Sequence, residues 1–178
     1  MADTGSTSLR LFVALWPGDE ERRHLDALAR GLSLAHGRLV PARNLHLTLA
    51  FLGAADAERH ACIARALATV SAPAFDLQFG TIRYRRRSAM VWLEASEVPP
   101  ALAELVAGVR RALAGCAYVP DARAFRAHVT LGRDARGWRA SQTEVALVWR
   151  VREFCLVSSR LTPAGAEYAI ERRWALAR

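Results

Sequence analysis

The chain contains no lysine; all 25 of its basic residues are arginine. That absence removes several mechanisms at once. No lysine can carry an adenylyl group, form a pyridoxal Schiff base or complete a GxxxxGK[ST] phosphate loop, and the GxGxxG dinucleotide fingerprint is absent as well. No apolar run reaches the ~20 residues needed to cross a bilayer. The opening MADTGSTSLR lacks a basic segment followed by an apolar stretch, so no secretory signal is expected and the chain reads as soluble and cytoplasmic. Cys62, Cys116 and Cys155 are odd in number and never spaced C-x-x-C. They suit buried small hydrophobes in a reducing compartment better than a disulfide framework or a zinc site. His24, His36 and His60 show no metal-ligand spacing such as H-E-x-x-H and are expected at the surface.

What is present bounds the class. At 178 residues and 52% hydrophobic, the chain can bury a substantial core, as one domain over residues 1–178, either undivided or split into two lobes. Residues 1–8 read as a flexible N-terminus. The formal charge of +8 attracts an anionic partner over long range, although an Arg- and Ala-rich composition also follows from genomic bias. The run Arg83-Tyr84-Arg85-Arg86-Arg87 interleaves an aromatic with guanidinium groups able to stack on bases and pair with phosphates. A solvated hairpin turn is the plainer reading of the same run.

The most informative residues form a repeated pattern, His46-Leu47-Thr48 in NLHLTLAFLG and His128-Val129-Thr130 in FRAHVTLGR. Side chains two apart on a strand share a face, so each copy sets an imidazole beside a hydroxyl. Leu45, Leu47, Leu49 and Phe51 would form the opposite apolar face, echoed by Val129 and Leu131. One copy alone reads as a His and a Thr on the solvent face of a strand. Two copies in matching contexts suggest a cleft with two imidazoles and two hydroxyls, the inventory of one base, one acid and hydrogen-bond donors for a phosphate.

Periodicity predicts strands at 9–16, 45–52, 75–82, 88–95 and 127–132, and helices from Asp19 to about Leu34, from an Asp56 cap to about Val70, and over 101–114. TEVALVWRVREFCLVSSRL reads as one long or bulged strand and AGAEYAIERRWAL as its return strand. The strand-helix-His-strand module thus occurs twice, 82 positions apart. The expected fold is α+β, two pseudo-symmetric lobes, each an antiparallel sheet packed with helices, with the site in the groove between them.

With these residues in place, the chain resembles the 2H phosphoesterase superfamily and, within it, the bacterial and archaeal RNA 2′,3′-cyclic phosphodiesterases long called 2′-5′ RNA ligases. RLFVAL, NLHLTLAFLG, VWL, HVTLGR, EFCLVSSRL and the closing RRWAL follow the family's order. Ala127, where the family often has proline, and Gly132, where a bulkier residue is usual, depart from it. The resemblance implies metal-independent hydrolysis of a 2′,3′-cyclic phosphate at an RNA 3′ end to a 2′-phosphate, with no cofactor. It implies His46 as proton donor, His128 as proton acceptor, and Thr48, Thr130 and Arg133 as phosphate contacts. The implied partner is RNA with a cyclic-phosphate end or a small cyclic nucleotide, acted on by a monomer with no membrane association. Phe12 is read as core packing, with base stacking the alternative. The rival readings are a 2′-5′ RNA ligase opening the cyclic phosphate with a 5′-hydroxyl, a non-catalytic RNA or nucleotide-binding module, and, more weakly, a histidine metal site.

Overall fold

The structure is a computed structural model that describes residues 9–138, 143–163 and 165–177; the flexible segment expected at 1–8 lies outside the described residues. In chain order the elements are β1 (Leu9–Leu15), α1 (Asp19–Arg30), the short β2 (Arg38–Leu39), β3 (Leu47–Ala55), α2 (Ala57–Leu67), β4 (Phe75–Arg85), β5 (Met90–Ala95), α3 (Pro100–Leu113), β6 (His128–Arg133), β7 (Thr143–Val151), β8 (Glu153–Thr162) and β9 (Gly165–Ala175).

Local chemistry accounts for the helices. α1 begins with Asp19, Glu20 and Glu21 against the positive end of its dipole and buries Leu25 and Ala29. Its last turn tightens at Gly31 and Leu32, whose N–H groups bond Ala27 O and Ala29 O at 3.0 Å, so the helix stops short of Leu34. Asp56 caps α2 as its spacing predicts, accepting from the Arg59 N–H at 2.8 Å. Pro100 opens α3, where its missing N–H costs nothing.

The strands form two sheets, β3-β1-β8-β9 and β2-β6-β5-β4-β7, with every named pairing antiparallel. The orders correspond: each His strand pairs with the strand that precedes its helix, β3 with β1 and β6 with β5. This is the two-lobed α+β fold expected from the repeat. One apolar core joins both sheets, with Val13 and Leu156 from the first and Leu77, Leu93 and Val129 from the second. A smaller cluster of Phe12, Ala14, Cys155 and Val157 occupies the other face of the first sheet, covered by Trp16, Tyr168 and Ile170.

Four expectations are corrected. The run from Thr143 to Leu161 is not one strand. β7 pairs with β4 and β8 with β1 and β9, so the chain passes between sheets at Arg152. β7 alternates buried and exposed residues while β8 buries Phe154 through Ser158 in succession, and neither pattern carries information about the pairing partner. Cys62 and Cys116 form a disulfide, with Cα atoms 5.8 Å apart across 54 residues of sequence. Packing of α2 against α3 brings them together, which spacing alone does not reveal. Cys155 remains a buried free thiol, as expected.

Phe51 is 71% exposed instead of buried with Leu47 and Leu49. Ala14 pairs with Thr48 and Val13 with Ala50, leaving Leu49 as an extra residue that inverts the alternation beyond it. The second His strand does the same, since Trp92 pairs with Thr130 and Val91 with Gly132 around an extra Leu131. Each bulge lies one residue past the Thr of its motif. Finally, His60 is half-buried 4.0 Å from Glu171, whereas His24 and His36 are exposed.

Candidate active site

Between the sheets runs a groove of about 1550 Å³ lined by His46, Thr48, His128, Thr130 and Arg133, so the structure brings all five sequence-predicted residues to one place. Thr48 lies on β3 with His46 just before it. His128, Thr130 and Arg133 lie on β6. The bulges at Leu49 and Leu131 follow directly, and such irregularities commonly sit beside functional sites.

Both imidazoles are held alike. His46 Nδ1 lies 2.6 Å from Asn44 O and His128 Nδ1 lies 2.7 Å from Arg126 O, in each case the carbonyl two residues earlier. A carbonyl only accepts, so Nδ1 carries the hydrogen on both rings and Nε2 is left for chemistry. His46 Nε2 is 3.1 Å from Thr48 Oγ1, which donates to it when the ring is neutral. Asn44 is a residue the sequence reading missed. Its buried side chain donates to Ala166 O of β9 at 2.8 Å, fixing the turn whose carbonyl orients His46. An Asn two positions before the His was its only sequence signal.

The surroundings of the two rings differ. His46 touches Phe12 (centroids 4.9 Å apart), Trp16 (5.4 Å) and Tyr168 (5.3 Å). Phe12 therefore packs beneath the imidazole, as core packing predicted. Burial pushes the His46 imidazole down from 6.5 to about 4, against the Asn44 hydrogen bond that favours the charged ring, with Arg133 and His128 adding repulsion. His128 is also lowered by burial, while the Arg126 carbonyl and Glu94 draw it upward and Arg85 and Arg133 oppose them. Arg133 thus acts electrostatically on both rings.

The groove is strongly cationic. Nine arginines line it against a single carboxylate, Asp121, which is itself paired with Arg123 at 2.5 Å. In the basic run Arg83 and Arg85 lie 2.9 and 3.7 Å from Glu94, and Arg85, Arg86 and Arg87 line the groove. Among the described residues, no group of three or more His, Cys, Asp or Glu is placed to hold a metal ion. No helix among them is long and apolar enough to cross a membrane.

A positively charged groove with two Nδ1-anchored imidazoles, each with a hydroxyl two residues on, suits proton transfer around a phosphate. The comparisons with known proteins agree. The family model for the 2′-5′ RNA ligase superfamily matches residues 17–162. An RNA 2′,3′-cyclic phosphodiesterase of Escherichia coli (strain K12) is 33% identical over 170 residues, covering 94% of this chain and 96% of that protein. A protein of the same name from Archaeoglobus fulgidus is 32% identical over 175 residues, covering 90% and 96%. The crystal structure of E. coli LigT complexed with 3′-AMP aligns with a TM-score of 0.87 at 31% identity, covering 96% of this chain and 99% of that one. The chain belongs to the 2′-5′ RNA ligase superfamily.

Proposed function

We propose that the protein is an RNA 2′,3′-cyclic phosphodiesterase that opens the cyclic phosphate at an RNA 3′ end to a 2′-phosphate, without a metal. The observation that carries this reading is the matched pair of imidazoles, both presenting Nε2 to one arginine-lined groove. The relatives bear the name of a hydrolase, so neither the ligase direction nor a binding-only role is favoured.

In this mechanism His128 Nε2 takes a proton as water oxygen bonds to phosphorus. The bond from phosphorus to the 3′-oxygen breaks, and His46 Nε2–H protonates that oxygen, leaving a 3′-hydroxyl and a 2′-phosphate. In the free protein burial keeps His46 neutral, so the acid must gain its proton as substrate binds. The phosphodiester's negative charge favours that protonation, and the Trp16 ring, parallel to His46, attracts the imidazolium through its π face. Glu94 stabilises His128 once it has accepted its proton. Thr48 and Thr130 hydroxyls hold the non-bridging oxygens, and Arg133 offsets the charge that builds on them. Thr48 can turn from His46 to the phosphate because a hydroxyl both donates and accepts.

The partner is RNA bearing a cyclic-phosphate end or a small cyclic nucleotide, met by a monomer in the cytoplasm and bound by a single bilobal domain. The test is turnover of such an RNA in chelator by wild type, His46→Ala and His128→Ala. Each variant should lose about 10²- to 10⁴-fold in kcat, the usual worth of a positioned acid or base. A variant within a few-fold of wild type would remove that histidine from the mechanism.

A further inference from the structure

Each imidazole faces an indole, one just past β1 and the other on β5. Trp16, just past β1, lies parallel to His46 at a centroid distance of 5.4 Å, a loose approach. Trp92 of β5 is stacked on His128 at 3.6 Å and 18°, a close face-to-face contact. We propose that Trp92 is the positioning residue of His128, the plane that fixes its ring so that Nε2 is directed at the phosphate.

One hydrogen bond does not immobilise an imidazole. The bond from Nδ1 to Arg126 O fixes a point, and the ring can still swing about it. A flat surface against the ring face removes that motion. His46 needs no such device, because Phe12, Trp16 and Tyr168 enclose it and Thr48 holds its other nitrogen. Trp92 is the aromatic ring against His128 among the described residues, so its loss has no substitute.

The indole is itself braced. The Arg85 guanidinium carbon lies 4.8 Å from the Trp92 ring centroid. Arg85 and its neighbour Arg83 pair with Glu94, the residue directly across from His128 on β5. A closed circuit of His128, Trp92, Arg85 and Glu94 therefore spans β4, β5 and β6. The Trp92 Nε1–H is buried and has no protein hydrogen-bond partner among the described residues.

This inference rests on the phosphodiesterase reading, and the test separates the two. Wild type, Trp92→Phe and Trp92→Leu are compared for kcat and KM on an RNA dinucleotide with a 2′,3′-cyclic phosphate, with urea midpoints to verify folding. In Trp92→Leu, kcat should fall about 10- to 100-fold, the effect of a small misplacement of a reacting group, with KM within about threefold. Trp92→Phe, still flat, should keep most of the wild-type kcat. NMR supplies a readout that needs no activity: the His128 ring protons should be shifted upfield by the indole in wild type and lose that shift in Trp92→Leu. Unchanged kcat in Trp92→Leu, equal losses in the Phe and Leu variants, or a rise in KM with kcat intact would each overturn the proposal; the last would make Trp92 a surface for the substrate base. Upfield-shifted His128 protons in a wild type that turns nothing over would instead sink the phosphodiesterase reading.

Discussion

Acidification tests the buried imidazole most sharply. The His46 ring falls from an ordinary 6.5 to about 4, chiefly because burial strips water from the charged form. The folded value lies below the unfolded one, so the unfolded chain binds a proton that the folded chain refuses. The stability from this group is complete above pH ~6.5, drains away as the pH falls, and levels off below pH ~4. At pH ~4.5 the unfolded ring is almost fully protonated and the folded ring only about a quarter, a difference of about 2.5 kcal/mol in stability at 1.36 kcal/mol per pKa unit. His128, lowered by burial as well, adds in the same direction. Urea unfolding of wild type and His46→Gln at pH ~7.5 and ~4.5 measures the effect. Over that interval wild type should lose about 2.5 kcal/mol more than the variant. Equal losses in the two proteins would refute the argument that the fold holds His46 uncharged.

Other perturbations probe the scaffold. Gly37 has φ +98° and a Cβ there would sit 2.4 Å from Arg133 O, so Gly37→Ala should cost about 2–3 kcal/mol in urea unfolding and weaken phosphate binding by displacing Arg133; an unchanged midpoint would contradict the close approach. The Cys62–Cys116 bridge closes 54 residues, for which chain entropy gives about 4 kcal/mol, so reductant should lower the urea midpoint accordingly. Unreduced native protein should show no reactive thiol, because burial pushes the Cys155 thiol up to about 12; two fast-reacting thiols would disprove the bridge. Thr48→Val and Thr130→Val should each lower kcat by about 10²-fold, the cost of removing one donor to developing charge, and activity within twofold of wild type would exclude the hydroxyl concerned.

The site was more legible in the sequence than the fold that carries it. A period-two pattern states which side chains share a face, and two copies of His-x-Thr therefore announced the polar face of each strand. The same rule placed Phe51 wrongly, because one extra residue at Leu49 reverses the parity and no propensity marks that insertion. Partner choice was equally invisible, so the crossing at Arg152 and the meeting of Cys62 with Cys116 emerged only from the packed structure. Asn44 contributes through its main-chain carbonyl, which no side-chain motif reports. The role of Trp92 is likewise a matter of which strands pair, since 36 residues separate it from the histidine it stacks on.

Phosphorus NMR follows the reaction itself. A short RNA ending in a 2′,3′-cyclic phosphate is incubated with the purified protein in EDTA. Conversion to a 2′-monophosphate is expected, lost in His46→Ala and in His128→Ala. A 3′-monophosphate, an unchanged cyclic phosphate, or conversion that persists in both variants would contradict it.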